Sequence, residues 1–370
     1  MPPSPSSLLV GRRFCCASGL GPRGKKGLDD NVFSKKRLVF LGSPQVVAVN
    51  VLGKIMDASQ AADSIFELVA IVTQPPSARL RGRRQLPSPV AEHALDSGFP
   101  HHLIFTPEKA GEENFLADLR ALRPDVCITA AYGNILPRRF LEIPQCGTLN
   151  IHPSLLPLYR GAAPVQRALQ DGVKETGVSL AYTVRALDAG PVIAKEKLEV
   201  DDHIKAPELL SILFDRGSNL LLGKLPSILD GSAMEKAEKQ DDTLATLAPK
   251  VRSEESWMNF DQEALVLHNK VRAFAGWPGT RAKIQVVDNN KKINTIELKI
   301  ITTRVGIPHN NDSNCKHDEM CIFFDGEALV VPCANSSLLQ VLELQLPGKK
   351  AVTAKAFWNG LRGQQLLKSR

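Results

Sequence analysis

Short apolar runs alternate with helix-like segments through the first two thirds of this 370-residue chain. The runs are typical of strands because they are rich in Val, Ile and Leu and are bounded by Gly, Pro or polar residues. This alternation predicts an α/β fold with a doubly wound, mostly parallel sheet, because parallel strands need crossover segments between them. The predicted strands are 38–41, 67–73, 125–131, 147–152, 177–185 and 192–200, and the predicted helices are 46–56, 112–122 and 207–225.

The last third of the chain has a different pattern. Strand-like runs at 283–287, 295–302, 321–324 and 338–344 follow one another without crossover helices. Short strands of this kind predict a small, OB-like β-barrel. The charged, weakly periodic stretch between the two patterns is typical of a linker. We therefore predict a catalytic domain at 36–233, a linker at 234–252 and a β-barrel domain at 253–370.

The first 35 residues differ from the rest in composition. Residues 1–28 carry five Lys or Arg and no Asp or Glu. Basic, acid-free leaders rich in Ser, Leu, Ala and Gly are typical of organellar transit peptides. The apolar run 8–10 is too short for a secretory signal. We expect a mitochondrial protein, with a plastid as the alternative, although a plain disordered leader or a mispredicted start would have the same composition.

The net charge of +7 lies at the two ends of the chain. Residues 1–37 carry +6, residues 38–245 carry −4, and residues 246–370 carry +5. Apolar runs fall short of the ~18 residues that a membrane-spanning helix needs, so we expect no membrane association. The seven cysteines show neither paired CxxC nor Cys/His spacing, so we expect reduced packing residues and no metal site.

Polar residues at one predicted strand end are the first candidates for chemistry. Asn150 and His152 are two positions apart, so on a strand they share one face while Ile151 points into the core. The loop that follows contains Pro153 and Pro157 and is stiff enough to form the wall of a pocket. A buried His beside an Asn is also common as a purely structural hydrogen-bonded pair.

Asp188 supplies the carboxylate that such a pair lacks. It lies in a turn before Gly190, where an Asp commonly only caps the turn. Together with the Asn amide and the His imidazole, this carboxylate could support acyl or formyl transfer. The amide and the imidazole would donate to a carbonyl oxygen, and the carboxylate would help to remove protons from an attacking amine. The sequence lacks a Ser or Cys nucleophile elbow, so we expect direct transfer without a covalent enzyme intermediate.

Five blocks of this sequence together resemble the folate-dependent formyltransferases. The blocks are residues 150–152, 154–157, 160–164, 175–179 and 187–190. Further matching stretches extend from residue 38 to about residue 365. The resemblance implies transfer of a formyl group from 10-formyltetrahydrofolate to the amino group of initiator methionyl-tRNA, for translation initiation in an organelle.

The same resemblance implies roles for individual residues. Asn150 and His152 would polarise the formyl oxygen and stabilise its negative charge, and Asp188 would assist His152 and the movement of the amine proton. Four residues would border the folate: Ser154, Leu155, Leu156 and Pro157. Contacts on the pterin side would come from Asn134, Ile135 and Leu136. The family's chemistry needs no metal.

Two basic elements bear on the acceptor. The loop 75–86 contains four arginines within six residues: Arg79, Arg81, Arg83 and Arg84. Composition alone indicates a solvated charged loop, whereas the resemblance implies that it grips the acceptor end of the tRNA. The +5 barrel would follow the phosphate backbone without reading sequence. Pro76 and Leu80 depart from the family pattern in this loop. We expect the protein to act as a monomer.

Three other functions remain open at this stage. A formyltetrahydrofolate hydrolase, or a formyltransferase for a small amine, would share the three polar residues but need neither the arginine loop nor a basic barrel. A nicotinamide-dependent oxidoreductase would have a similar sheet, but residues 41–44 lack the later glycines of the dinucleotide fingerprint. A non-catalytic RNA-binding protein could be built on the same scaffold.

Overall fold

A computed structural model describes residues 35–42, 46–78, 85–306 and 320–369. The leader at 1–34 lies outside the described residues, and so do the four arginines Arg79, Arg81, Arg83 and Arg84. The expectations for those segments therefore rest on the sequence alone.

The first part of the chain forms a seven-stranded sheet with the order β5-β2-β1-β6-β7-β8-β9. Its strands are β1 (Lys36–Gly42), β2 (Phe66–Val72), β5 (Ile104–Phe105), β6 (Val126–Ala130), β7 (Thr148–His152), β8 (Glu175–Tyr182) and β9 (Val192–Glu199). Two short strands, β3 (Ser77–Ala78) and β4 (Gln85–Leu86), pair with each other in a separate ribbon. The helices of this part of the chain are α1 (Val46–Gln60), α2 (Pro89–Asp96), α3 (Glu113–Leu122), α4 (Arg138–Leu141), α5 (Pro164–Asp171), α6 (Ala206–Leu229) and α7 (Ser232–Lys236). The five strands from β5 to β7 run parallel to one another, β8 is antiparallel to β7, and β9, antiparallel to β8, runs in the same direction as β7.

Successive residues of β1 pack on opposite faces of this sheet. Leu38 and Phe40 belong to the core formed with α1 and α6, while Val39 and Leu41 belong to the core formed with α3. All four are fully buried. A strand covered by helices on both faces reads as a continuous apolar run because neither face meets water. The predicted doubly wound, mostly parallel sheet is confirmed.

The second part of the chain forms an antiparallel sheet with the order β11-β10-β16-β12-β13-β14-β15. Its strands are β10 (Thr280–Val287), β11 (Ile293–Gly306), β12 (Cys321–Phe324), β13 (Leu329–Pro332), β14 (Leu338–Gln345), β15 (Ala351–Thr353) and β16 (Gln365–Lys368), and its helices are α8 (Ala264–Ala273) and α9 (Ala354–Gly360). Pairing of β14 with β11 closes six of the strands into a ring.

Alternating burial along β10 gives this ring its interior. Thr280, Ala282, Ile284 and Val286 are buried, while Arg281 and Lys283 between them are exposed. The period of two is the one expected when a closed sheet has a filled interior and a solvated exterior. The predicted small β-barrel, consistent with an OB-like fold, is confirmed. Among the helices of the described residues, none combines the length and apolarity needed to cross a membrane.

Helix α8 connects the barrel to the first sheet through a buried histidine. His268 lies on α8, with its Nδ1 2.9 Å from Thr303 Oγ1 on β11 and its Nε2 2.9 Å from the backbone oxygen of Asp202, which follows β9. A carbonyl oxygen only accepts, so Nε2 carries a proton, and in the neutral ring Nδ1 accepts from the threonine hydroxyl.

We predict that His268 makes the folded protein less stable in mild acid. Burial lowers the pKa of His268 below its ordinary value of 6.5, and the nearby charges of Arg272 and His203 act in the same direction, against the opposing effect of Asp202. The unfolded chain then takes up the proton first, so stability is complete above the ordinary pKa and falls as the pH drops through the folded value. Urea unfolding at about pH 7.5 and about pH 5.5 measures this loss.

The matched variants are His268→Gln and His101→Gln. The first should show a smaller stability difference between the two pH values, because the titrating ring is gone. The second removes an exposed ring and should keep most of the wild-type difference. An unchanged pH difference in His268→Gln would contradict the assignment.

Candidate active site

Two candidate residues lie near the carboxyl end of β7, the last strand of the parallel part of the sheet. Asn150 and His152 lie on β7 at positions that share one face, and Ile151 between them is 1% exposed and belongs to the core on the opposite face. Gly217 of α6 allows this packing, because an added Cβ would lie 2.4 Å from Ile151 Cγ2. Helix α6 therefore fills one face of β7 and leaves the other for Asn150 and His152.

The carboxylate of Asp188 meets both side chains. Asp188 Oδ1 lies 3.5 Å from Asn150 Nδ2, and Asp188 Oδ2 lies 3.8 Å from His152 Nδ1. His152 is 3% exposed, whereas Asp188 is partly open to solvent. The structure thus brings together the amide, imidazole and carboxylate that the sequence singled out.

The orientation of the Asn150 amide is set by the neighbouring strand. Thr129 of β6 stands opposite Asn150 in the strand register, and its hydroxyl donates to Asn150 Oδ1 at 2.8 Å. The opposite orientation would turn Oδ1 toward the Asp188 carboxylate, which is unfavourable for two acceptors. The Nδ2 donor therefore points to the side where the carboxylate and the imidazole lie.

One nitrogen of His152 is already committed to the backbone. Its Nε2 lies 2.9 Å from the carbonyl oxygen of Tyr159. Because that oxygen can only accept, a neutral ring holds its proton on Nε2 and leaves the Nδ1 lone pair beside Asp188. Tyr159 itself stays protonated, since burial and the hydrogen bond to Asp171 raise the pKa of its hydroxyl. Nδ1 is consequently the ring nitrogen available for chemistry.

The backbone of the 160–164 loop fixes the other side of the carboxylate. The Gly161 N–H donates to Asp188 Oδ2 at 2.8 Å. Gly161 has φ of 127°, and an added Cβ would lie 2.6 Å from the carbonyl oxygen of Ala248. Only glycine fits this conformation and this close approach. The residue is thus needed for the amide to reach Asp188.

The four residues predicted to border a folate follow His152 directly. Ser154 and Leu156 are buried, at 0% and 1% exposure, and Leu155 and Pro157 are half-buried. Ser154 Oγ donates to the backbone oxygen of Leu158 at 2.6 Å, and the Leu156 N–H donates to Ser179 Oγ at 3.0 Å. The segment is a fixed wall beside the three polar groups. The contacts of these four residues with a folate stay a prediction.

The predicted pterin-side residues follow β6, the strand next to β7. Ile135 is 93% exposed, which is unusual for a large apolar side chain, and Leu136 is half-buried. Asn134 donates to the backbone oxygen of Glu108. The carboxyl ends of β6 and β7 lie at the same sheet edge, so these residues follow a strand that ends beside His152. Their contacts with a ligand stay a prediction.

Sequence reasoning missed four groups that hold the site: Thr129, the Tyr159 carbonyl, the Gly161 amide and Gln240. Gln240 donates from Nε2 to the backbone oxygens of Asp188 and Gly190, both at 2.7 Å. Of the four, Thr129 is the one that the sequence could have identified, because it lies on β6, the strand next to that of Asn150. The others act through backbone atoms or from a segment interpreted as a linker, and local sequence patterns carry no signal for them.

Metal ligands do not cluster in the part of the chain that the structure describes. No group of three or more His, Cys, Asp or Glu side chains there is arranged to hold a metal ion. Three of the described cysteines, Cys127, Cys146 and Cys333, are free thiols.

We predict that Gly161→Ala destabilises the protein markedly. The substitution places a Cβ against the Ala248 carbonyl at a φ that L-residues avoid, and such backbone strain costs about 1–3 kcal/mol before any clash is counted. Thermal and urea unfolding measure the loss. The control is Gly223→Ala on α6, where an added Cβ meets nothing within 4 Å and helix propensity predicts a gain of roughly 0.5–1 kcal/mol. Equal effects at the two glycines would contradict the prediction.

Comparison with known proteins covers both parts of the chain. The family model "Formyl transferase" matches residues 36–223, and "Formyl transferase, C-terminal domain" matches residues 250–362. Methionyl-tRNA formyltransferase from Bacillus licheniformis is 33% identical over 331 residues, which cover 88% of this chain and 95% of the relative. The enzyme of the same name from Carboxydothermus hydrogenoformans is 35% identical over 326 residues, which cover 88% and 97%.

A solved structure shares the fold at lower identity. The N-formyltransferase from Helicobacter canadensis, solved with folinic acid and dTDP-3-aminofucose, superimposes with a TM-score of 0.56 at 16% identity, covering 83% of this chain and 98% of that one. Matches of both family models, together with relatives above 30% identity over nearly their whole length, establish that the chain belongs to the formyltransferase family.

Proposed function

We propose that this protein transfers a formyl group from 10-formyltetrahydrofolate to the amino group of initiator methionyl-tRNA. The relatives that align with both parts of the chain are named methionyl-tRNA formyltransferases. The observation that carries the chemistry is the convergence of Asn150 Nδ2, His152 Nδ1 and Asp188 within 3.5–3.8 Å. These are the groups that a carbonyl under attack by an amine needs.

The folate substrate fits the surroundings of this trio. The Helicobacter canadensis relative was solved with folinic acid, a reduced folate. In this chain the wall at 154–157 and the exposed Ile135 offer a rigid edge and an apolar surface at the sheet edge where His152 lies. A flat heterocycle with polar edges suits such a combination. Bound there, 10-formyltetrahydrofolate supplies the formyl carbon that the amine attacks.

Asn150 stabilises the charge that develops on the formyl oxygen. Its Oδ1 is held by the Thr129 hydroxyl, so Nδ2 is aimed before any substrate arrives. Attack of the amine nitrogen on the formyl carbon forms the new C–N bond and pushes the C=O electron pair onto oxygen. A preorganised donor at that oxygen contributes roughly 10²–10³ in rate.

His152 moves the proton that the amine must lose. Its Nδ1 lone pair faces the site because Nε2 is held by the Tyr159 carbonyl. Nδ1 takes the amine proton as the bond forms and delivers it to the folate nitrogen as the old C–N bond breaks. Asp188, 3.8 Å away, stabilises the positively charged ring between these two events. As that bond breaks, the pair on oxygen re-forms the C=O bond and the pair of the broken bond stays on the folate nitrogen, so no covalent enzyme intermediate is needed.

The acceptor is proposed to be tRNA because of the basic elements outside the trio. Small-amine transfer requires neither Arg79, Arg81, Arg83 and Arg84 nor a barrel region of charge +5. Both features suit a phosphate backbone. One chain carries the trio and both basic elements, so we propose that it acts as a monomer.

We also propose that the protein works in an organelle, with the mitochondrion ahead of the plastid. The support is the basic, acid-free composition of residues 1–28, which is typical of transit peptides. Transfer of formyl to initiator methionyl-tRNA would then serve organellar translation initiation.

We predict that His152→Ala lowers kcat for formyl-methionyl-tRNA formation by about 10²–10⁴-fold, the usual contribution of a positioned acid–base group. The assay supplies 10-formyltetrahydrofolate and charged initiator tRNA to the purified protein, and thermal unfolding confirms that the variant is folded. His102→Ala removes an exposed histidine and should leave kcat unchanged. Wild-type protein that hydrolyses the folate without an acceptor, or binds tRNA without turnover, would overturn the proposed function.

We predict that Arg81→Ala chiefly weakens the use of tRNA. Loss of one charge-assisted contact costs roughly 1.5–3 kcal/mol, so KM for the charged tRNA should rise about tenfold or more. The salt dependence of tRNA binding, measured between about 0.05 and 0.2 M salt, should become shallower by about one phosphate contact. Lys224→Ala removes the same charge from an exposed position on α6 and should change neither value. A raised KM for the folate in Arg81→Ala would show that the loop has a different role.

A further inference from the structure

The segment between the two folded parts is hydrogen-bonded onto the candidate active site. Glu238 and Val192 exchange two backbone hydrogen bonds of 2.8 Å. Further along, the Arg160 N–H donates to the Thr246 carbonyl at 2.8 Å, and the Ala248 N–H donates to the Arg160 carbonyl at 2.7 Å. Residues 238–248 thus act as part of the site's framework, although the sequence is typical of a linker there.

Gln240 is the side chain through which this segment reaches Asp188. It is 8% exposed, and its Nε2 donates to the backbone oxygens of Asp188 and Gly190, each at 2.7 Å. Its Oε1 accepts from Arg160 Nε at 3.0 Å and from Arg160 Nη2 at 2.8 Å. Carbonyls only accept and a guanidinium only donates, so the amide has one possible orientation and all its hydrogen-bonding capacity is used.

These contacts hold the carboxylate of Asp188 from two directions. The Nε2 bonds clamp the turn in which Asp188 adopts a φ of 46°, a conformation that non-glycine residues rarely adopt. The Oε1 bonds fix Arg160, whose neighbour Gly161 donates its N–H to Asp188 Oδ2. One buried amide therefore links the backbone that carries the carboxylate to the backbone that binds it.

We propose that Gln240 is a positioning residue that sets the Asp188 carboxylate against His152 Nδ1 during formyl transfer. The proposal rests on the proposed function, because it assigns a partner to the same site. Gln240 contacts the backbone of Asp188 and not the reacting atoms, so its effect must pass through the carboxylate. A displacement of about 1 Å at a reacting group can lower turnover by about 10²-fold.

The first test is Gln240→Met, which keeps the length of the side chain and removes every hydrogen bond. We expect kcat to fall roughly 10- to 100-fold, because a displacement of about 1 Å at a reacting group can lower turnover by about 10²-fold, while KM for both substrates changes less than about threefold. Gln240→Glu retains an acceptor for Arg160 but turns an oxygen toward the two carbonyls, and should also lower kcat. It carries the same test if Gln240→Met does not fold.

The matched control is Asp242→Asn. Asp242 also accepts a hydrogen bond from Arg160 Nη2, at 2.8 Å, but its side chain is 76% exposed and none of its described contacts reaches Asp188. We expect kcat within about twofold of wild type for this variant, since an exposed ion pair contributes little. A loss in Asp242→Asn equal to that in Gln240→Met would show that holding Arg160 is sufficient, and would overturn the role assigned to Gln240.

A double-mutant cycle with Asp188→Asn separates positioning from general stability. If Gln240 acts through the carboxylate, Gln240→Met should change kcat by less than about twofold once Asp188 is Asn. The same fold loss in both backgrounds would overturn the proposal, because two independent effects multiply. If Asp188→Asn alone leaves kcat unchanged, the catalytic assignment of the trio fails, and the role of Gln240 fails with it. A loss in Asp188→Asn without any loss in Gln240→Met overturns only the role of Gln240.

Discussion

The hydrogen bond from the Gly161 amide to the Asp188 carboxylate decides whether the three polar side chains can meet. Asn150 and His152 are fixed by strand geometry, whereas Asp188 comes from a turn and has no strand to aim it. The amide contact at 2.8 Å holds the carboxylate where both Asn150 Nδ2 and His152 Nδ1 face it. Direct formyl transfer uses no covalent enzyme intermediate, so its rate depends on this placement and on the aim of the donors.

Most of the fold could be predicted from the sequence because local pattern and tertiary packing agree. The run at 38–41 is apolar throughout because helices cover both faces of β1, and the alternating run in β10 follows the inside and outside of the barrel. Asn150 and His152 could be paired for the same reason, since positions two apart on a strand share a face. The periodicity of apolar residues indicates which positions are buried, and this pattern was sufficient to predict these strands and the faces of their side chains.

The direction of β8 is a feature that the sequence pattern does not specify. It runs antiparallel to both of its neighbours, β7 and β9, so β8 ends beside the start of β7, where Thr183 N–H donates to the Thr148 carbonyl. The turn that follows must fold back over the sheet face to bring Asp188 to Asn150. An apolar run has the same composition in either direction. The sequence therefore identified the carboxylate, but the path that brings it to the imidazole depends on tertiary contacts.

Gln240 lies between the two family-matched ranges, 36–223 and 250–362. Its charged, irregular neighbourhood is typical of a connecting segment, yet its amide satisfies two buried carbonyls and a buried guanidinium. A buried carbonyl left without a donor costs about 1–3 kcal/mol, so the connecting segment stabilises the turn at Asp188 through these bonds. The site is thus completed by residues outside the sheet that carries Asn150 and His152, and a boundary drawn at residue 223 would separate the carboxylate from the group that holds it.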